Sequence, residues 1–92
     1  MHPSDASELE WDEGNESELD RHGIAPDEVE QVFDNHPTWA VNKTSGSGEW
    51  LMIGRTDGGR FLTIVVTTTD RPWFIRAITG WDSTPPERRL HR

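Results

Sequence analysis

The stretch "EWLMIGRTDGGRFLTIVVTTT", residues 49–69, decides the fold of this 92-residue chain. Two runs rich in β-branched and apolar residues flank "DGG", residues 57–59. Asp-Gly and Gly-Gly readily adopt a positive φ, so the pattern is a strong signal for a β-hairpin. The centre of the chain is therefore predicted to be a pair of antiparallel strands.

Outside the hairpin, the sequence predicts two helices and a strand before it, and a strand and a third helix after it. Asp12 is placed to cap the first helix, Pro26 fits position N1 of the second, and Thr84 starts a capping box for the third. "LEW", residues 9–11, either adds a short strand or serves as an anchor. The predicted elements are helix 12–22, helix 26–35, strand 38–44, strand 73–81 and a helix from Pro85.

This order of elements predicts an α+β fold. Links between successive strands favour a four-stranded antiparallel sheet, and the helices are expected to cover one of its faces. "SGSG", residues 45–48, is expected to form a flexible turn. Residues 1–8 are expected to be a flexible N-terminus and residues 9–92 a single domain, since 92 residues leave no room for a second core.

Charge is distributed unevenly along the chain. Residues 1–34 have a net charge of −11 and residues 35–92 a net charge of +3, within a total of −8. The acidic half is expected to be a solvated face or a surface for a basic partner, and such acidity is also typical of adaptation to high salt. The chain has no cysteine and its histidines lack metal-ligand spacing, so no metal site is expected. It has no long apolar run and no leader, which predicts a cytoplasmic protein.

The two arginines that flank the hairpin turn are the first candidate site. A two- or four-residue loop would place Arg55 and Arg60 directly opposite each other, and other loop lengths would shift them. Two neighbouring guanidinium groups could bind a phosphate or a carboxylate bidentately. The alternative is that both arginines pair with the acidic helices and stabilise the fold.

The fourth strand and the first helix contribute further candidates. Strict alternation would place Arg76 on one face of the sheet and Trp81 on the opposite face at the strand exit. Arg76 has apolar neighbours and is expected either to pair across the sheet or to face a site. His22 could act as a general acid or base, although a histidine in a last helical turn is also favoured by the helix dipole.

The order and spacing of four motifs carry a family resemblance. They are "WDEGN", 11–15, "RHGI", 21–24, "EVEQVF", 28–33, and "IGRTDGGR", 53–60. In this order they resemble the BrnT family of type II toxin–antitoxin toxins. The resemblance implies a RelE-like α+β fold and a metal-independent endoribonuclease, a hydrolase that needs no cofactor. It also implies neutralisation by a BrnA-like antitoxin, in a dimer or a heterotetramer.

The resemblance further implies which residues act on RNA. Arg55, Arg60 and Arg76 fall on positions that are basic in the family. His22 falls on its "HG" helix end, which completes the predicted catalytic set. The predicted RNA-binding residues are Lys43, Trp81 and Arg88.

Trp81 departs from the family pattern. Much of the family has an arginine near the end of this strand, so the resemblance is to a divergent branch. If that arginine stabilises the transition state, its loss would cost about 100- to 1,000-fold in rate. Two functions therefore stay open, a BrnT-like ribonuclease and a catalytically impaired protein-binding module with the same fold. A third is a small-anion sensor built on Arg55 and Arg60.

Overall fold

The computed structural model of the chain describes residues 1–43 and 48–91. The predicted flexible turn over residues 45–48 lies outside the described residues except for Gly48. The elements run in chain order as a short 3₁₀ helix Pro3–Asp5, β1 Glu8–Glu10, α1 Glu13–Arg21, α2 Pro26–Asp34, β2 Thr38–Val41, β3 Trp50–Arg55, β4 Phe61–Thr68, β5 Phe74–Asp82 and α3 Pro85–Leu90.

Five strands form one mixed sheet in the order β1-β5-β4-β3-β2. The pairs from β2 to β5 are antiparallel, as predicted. β1 is parallel to β5, with Leu9 opposite Ile75. The α+β class is thus confirmed, whereas the prediction of a four-stranded antiparallel sheet is wrong. A three-residue strand is too short for alternation to appear in the sequence, and β1 pairs with an edge that forms far along the chain.

Local hydrogen bonds set the ends of α1 and α3. Asp12 Oδ1 accepts from the Asn15 N–H at 3.1 Å, and Asn15 Oδ1 accepts from the Asp12 N–H at 2.8 Å. Gly23, just after α1, has a φ of +70°, which glycine adopts without strain. At α3, Glu87 Oε1 accepts from the Thr84 N–H at 2.8 Å. These bonds satisfy N–H groups that a helix start leaves unpaired, which is why capping residues predicted the helices well.

α1 and α2 pack on one face of the sheet around a shared apolar core. Gly54 allows the close approach of α2, because a Cβ atom there would lie 3.2 Å from Val32 Cγ1. The buried residues of this core are Leu9, Leu19, Ile24, Val29, Val32, Met52, Leu62, Ile64, Val66, Ile75 and Ala77.

α3 lies against the opposite face. Its Glu87 accepts a hydrogen bond from Thr63, which points away from its core neighbours Leu62 and Ile64. The prediction that the helices cover a single face is therefore wrong for α3. Its capping box predicts where the helix begins, but a short polar helix contains no pattern that says which face it covers.

A β-bulge in β5 overturns the predicted alternation of its side chains. The register with β4 shifts between Val65 and Val66, which leaves Ile78 as an extra residue in β5. The extra residue reverses the faces of all residues that follow it. Trp81 therefore lies on the same face as Arg76, and the prediction that they lie on opposite faces is wrong.

The N-terminal residues contact the sheet. Pro3 is buried, and the His2 ring packs edge-on against the Trp50 ring with 4.6 Å between centroids. The flexibility of residues 1–8, and the division of the chain at residue 9, stay predictions. Within the described part of the chain, no helix has the length and apolar character that crossing a membrane requires.

Candidate functional site

The turn of the β3–β4 hairpin separates the two predicted arginines. The Thr56 N–H donates to the Arg60 carbonyl at 2.9 Å, and Gly59, at a φ of +90°, donates to the Thr56 carbonyl at 2.9 Å. This loop places Arg55 opposite Phe61. Arg55 and Arg60 are therefore not directly opposed, and their side chains contact opposite faces of the sheet.

Arg60 lies on the α1–α2 face, where it forms ion pairs. Its Nε donates to Asp82 Oδ1 at 2.8 Å, and its Nη1 donates to Glu28 Oε1 at 3.0 Å and to the Gly23 carbonyl at 2.9 Å. The hydrogen bond with Arg60 lowers the pKa of Asp82, and the same bond raises the pKa of Arg60. The guanidinium group thus joins the α1–α2 turn, α2 and β5.

On the α3 face, Phe61 is the centre of a basic cluster. Its ring centroid lies 4.6 Å from the guanidinium carbon of Arg55, 5.9 Å from that of Arg88, and 5.8 Å from the centroid of the His91 ring. We call Arg55, Phe61, Arg88 and His91 the Phe61 cluster. Cation–π attraction to the ring helps to hold two like charges near each other.

Tertiary structure brings the Phe61 cluster together. The end of the β3–β4 hairpin supplies its first two members. Arg88 is on α3, where its Nε donates to the Ser83 carbonyl at 3.3 Å. His91 directly follows α3, and its Nδ1 lies 2.9 Å from Thr38 Oγ1 at the start of β2. The position of the imidazole therefore depends on a contact between the residue after α3 and the start of β2.

The two arginines of the Phe61 cluster have no ion pair with the residues that the structure describes. No carboxylate oxygen of residues 1–43 or 48–91 lies within 4.0 Å of a guanidinium nitrogen of Arg55 or Arg88. Both side chains are exposed. Two exposed guanidinium groups beside an imidazole and an aromatic ring can bind a phosphate, transfer a proton and stack on a base.

Arg76 lies near the other end of the sheet in ion pairs of its own. Its Nη1 donates to Asp12 Oδ2 at 2.7 Å and to Glu10 Oε1 at 3.3 Å. The hydrogen bond with Arg76 lowers the pKa of Asp12 to about 2. Arg76 is opposite Thr67, whereas the Phe61 cluster is at the start of β4, a distance of about 20 Å along an extended strand. The structure does not bring Arg76 to the cluster.

His22 and Lys43 are placed elsewhere as well. His22 Nε2 lies 3.0 Å from Glu18 Oε2, which also accepts a hydrogen bond from Thr79 at 3.0 Å. The hydrogen bonds from Thr79 and His22 lower the pKa of Glu18. Lys43 is exposed two residues after Val41, the last residue of β2. Their roles in catalysis and RNA binding stay predictions.

Trp81 is a neighbour of the Phe61 cluster. It is opposite Thr63 on β4, two residues from Phe61 and on the same face of the sheet. Its indole is partly buried, and Nε1 donates to Glu87 Oε1 at 3.0 Å. The indole N–H is therefore bonded to α3.

Phe61 and His91 belong to the candidate site but are not among the residues predicted from the sequence. The sequence does contain a signal for Phe61. Gly59 adopts a positive φ just before Arg60, and a hairpin loop of this kind pairs Arg55 with Phe61 instead of Arg60. The sequence offers no comparable signal for His91. Its place depends on the face that α3 covers and on the position of Thr38 in the folded sheet.

Fold and cluster together define a class of protein, a small α+β domain whose mixed sheet has a basic and aromatic cluster on one face. The family model described as "Ribonuclease toxin, BrnT, of type II toxin-antitoxin system" matches residues 11–87, so the chain belongs to the BrnT family. The resemblance seen in the sequence is thereby confirmed, and the family implies an RNA target and an antitoxin partner. A search of curated proteins finds no match. Arg55 and Phe61 lie within the matched residues, while Arg88 and His91 lie just beyond them.

Proposed function

We propose that this chain is a metal-independent endoribonuclease whose active site is the Phe61 cluster and whose activity a cognate antitoxin blocks. The observation that carries the proposal is the meeting of Arg55, Arg88 and His91 at one aromatic ring, with both arginines exposed. Membership of a ribonuclease toxin family supports RNA as the substrate. The cytoplasm, where RNA is translated, is the proposed location.

The proposed reaction transfers a phosphodiester within RNA. A 2′-oxygen attacks the adjacent phosphorus and the bond to the 5′-oxygen breaks, which leaves a 2′,3′-cyclic phosphate and a 5′-hydroxyl. His91 accepts the 2′-hydroxyl proton through Nε2, in the tautomer whose Nδ1–H donates to Thr38, and solvent protonates the leaving oxygen. Arg55 and Arg88 stabilise the charge that develops on the phosphate oxygens. These steps need neither a metal nor a cofactor.

The other aromatic and basic residues have different proposed roles. Phe61 stacks on a base beside the cleaved bond, a contact worth roughly 1–3 kcal/mol per base. Arg60 and Arg76 hold the fold together, because each already bonds two carboxylates. Roles for them in catalysis stay predictions, as does the role of Lys43 in RNA binding.

Cleavage of a single-stranded RNA by the purified chain in the presence of EDTA tests the proposed reaction. We expect products with cyclic phosphate and 5′-hydroxyl ends. Arg55→Ala and Arg88→Ala should each lower kcat by about 100-fold or more, since each removes a group that stabilises the transition state. His91→Ala should lower it by about 100- to 10,000-fold.

Arg71→Ala is the matched control for these variants. Arg71 is also exposed, and it stacks on the Phe74 ring at 3.6 Å at the far end of the sheet. Its loss removes the same charge without touching the Phe61 cluster, so cleavage should be unchanged. RNA that the wild-type chain leaves intact would overturn the proposed function.

Expression in cells tests the toxin role. The wild-type chain should arrest growth, and Arg55→Ala should relieve the arrest because the proposed site then lacks a cation. Co-expression of a BrnA-like protein encoded beside this chain should restore growth with the wild type. Light scattering of the purified complex would then distinguish a dimer from a heterotetramer.

A second candidate function is a catalytically impaired binding module with the BrnT fold. The observation that favours it is the neutralisation of Arg60 and Arg76 by carboxylates, while Trp81 has no charge to offer a phosphate. A chain that forms a stoichiometric complex with the neighbouring gene product but leaves RNA intact would fit this candidate. Cleavage gained on Trp81→Arg would strengthen it.

A further inference from the structure

The Glu87 carboxylate joins α3 to two strands of the sheet. Its Oε1 accepts hydrogen bonds from the Thr84 N–H at 2.8 Å, Trp81 Nε1 at 3.0 Å and Thr63 Oγ1 at 3.0 Å. The donors belong to the helix cap, β5 and β4. One carboxylate therefore connects three elements.

α3 depends strongly on this attachment. Its six residues include no buried side chain, and a helix of this length is not stable on its own. Burial raises the pKa of Glu87, but hydrogen bonds from Thr84, Trp81 and Thr63 outweigh this effect and hold the pKa below its usual value. The carboxylate is thus ionised at neutral pH, and hydrogen bonds to a charged acceptor are stronger than those to a neutral one.

The same short helix places two members of the Phe61 cluster. Arg88 directly follows Glu87, and His91 comes about one helical turn later. Movement of α3 about its attachment would displace both side chains. Arg55 is on β3 and would keep its place opposite Phe61.

We propose that Glu87 and Trp81 are positioning residues of the ribonuclease, which fix α3 so that Arg88 and His91 meet Arg55 at Phe61. This inference rests on the proposed function. In it, Trp81 contributes the indole N–H that holds the Glu87 carboxylate. A misplacement of about 1 Å at a reacting group can cost on the order of 100-fold in rate, so the attachment matters for catalysis without contacting RNA.

Two single substitutions test the positioning role in the cleavage assay. Glu87→Gln removes the charge, and Trp81→Phe removes the indole N–H while keeping an aromatic ring. We expect kcat to fall by about 100-fold and about 10-fold respectively, with KM changed much less, since RNA still binds Arg55 and Phe61. Glu16→Gln is the control, because Glu16 is an exposed carboxylate on α1.

Double variants separate positioning from general loss of stability. The effect of Glu87→Gln should shrink when Arg88 is already alanine, because one of the groups that it positions is then absent. The effect should be undiminished in the Arg55→Ala background, because Arg55 does not depend on α3. Equal effects in both backgrounds, or unchanged kcat in Glu87→Gln and Trp81→Phe, would overturn the inference.

A measurement without RNA distinguishes this inference from the proposed function. The imidazole NMR resonances of His91 should move towards those of the exposed His36 in Glu87→Gln and Trp81→Phe, because the contact with Thr38 loosens. Glu16→Gln should leave them in place. If the wild-type chain leaves RNA intact but the His91 resonances shift in the two variants, the proposed function is wrong and the role of Glu87 and Trp81 in attaching α3 still holds. If the His91 resonances are unchanged in both variants, Glu87 and Trp81 do not fix the position of α3.

Discussion

Arg55 and Arg60 flank the same turn, yet the fold uses them differently. Arg55 stacks on Phe61 and stays exposed, whereas Arg60 bonds Glu28 and Asp82 across the other face. The difference arises from the length of the loop. Adding or removing one residue between the two arginines would change whether their side chains lie on the same face of the sheet or on opposite faces. At this scale a basic motif predicts the presence of cations and leaves their partners undetermined.

Arg60→Ala should lower the free energy of unfolding by about 1–2 kcal/mol, because it removes hydrogen bonds to two partly exposed carboxylates and one carbonyl. Urea denaturation measures this change. Arg55→Ala is the matched control, and its stability should stay within about 0.5 kcal/mol of the wild type. Equal losses in the two variants would show that the ion pairs of Arg60 do not hold the fold.

The ion pair between Asp12 and Arg76 should make stability depend on pH in the acid range. The pKa of Asp12 falls from 3.8 to about 2 in the folded chain, so its contribution is complete above pH 3.8 and is lost as the pH falls towards 2. Urea midpoints measured between pH 5 and pH 2 should therefore fall less steeply for Asp12→Asn than for the wild type. The same slope in both proteins would contradict the assignment.

At the scale of elements, the bulge in β5 brings a glycine against the core. A Cβ atom at Gly80 would lie 2.6 Å from Ile64 Cδ1 and 3.0 Å from the Thr63 carbonyl oxygen. Strict alternation would have placed Gly80 beside Arg76, away from that core. The glycine is therefore a packing requirement of the bulged strand.

Gly80→Ala should destabilise the chain by about 1–3 kcal/mol, because the added methyl group overpacks the contact between β4 and β5. Gly58→Ala is a suitable control, since the nearest atom to its added Cβ would be Thr56 Oγ1 at 3.9 Å. Thermal melting of both variants provides the comparison. A Gly80→Ala protein as stable as Gly58→Ala would mean that Ile64 moves aside at little cost.

The elements that the sequence predicts correctly are those with local causes. Capping at Asp12 and Thr84 and the glycines of the turn act through neighbouring residues, so they can be read without the fold. β1 and the bulge at Ile78 depend on a partner strand far away in sequence. Local patterns contain no information about such partners.

At the scale of the whole molecule, the candidate site also combines features that the sequence predicts locally with features that depend on distant parts of the chain. The sequence predicts Arg55 and Arg88 as separate candidates, because basic residues near a turn and in a last helix are visible in it. It does not predict that they share the Phe61 ring with His91. That arrangement requires the hairpin register, the face covered by α3 and the contact with Thr38 together.

Salt should weaken RNA binding only modestly, because the Phe61 cluster offers two arginines to the phosphates. For single strands the logarithm of the binding constant falls by about 0.7 per phosphate contact for each logarithm of salt concentration, so two arginines give a slope of about −1.4. Fluorescence anisotropy with a non-cleavable 2′-deoxy oligonucleotide measures the slope. Arg55→Ala should reduce its magnitude by about 0.7, and Arg71→Ala should not change it. A slope that is insensitive to Arg55→Ala would place the phosphates elsewhere.

The parallel pairing of β1 with β5 has a consequence for how the chain folds as it is made. Glu10 and Arg76 are bonded across 66 positions of sequence, and such distant contacts are slow to form because a long loop must close first. On the ribosome, β1 emerges early and remains without its partner until β5 has been synthesised. The five-stranded sheet therefore cannot be completed until most of the chain has been synthesised.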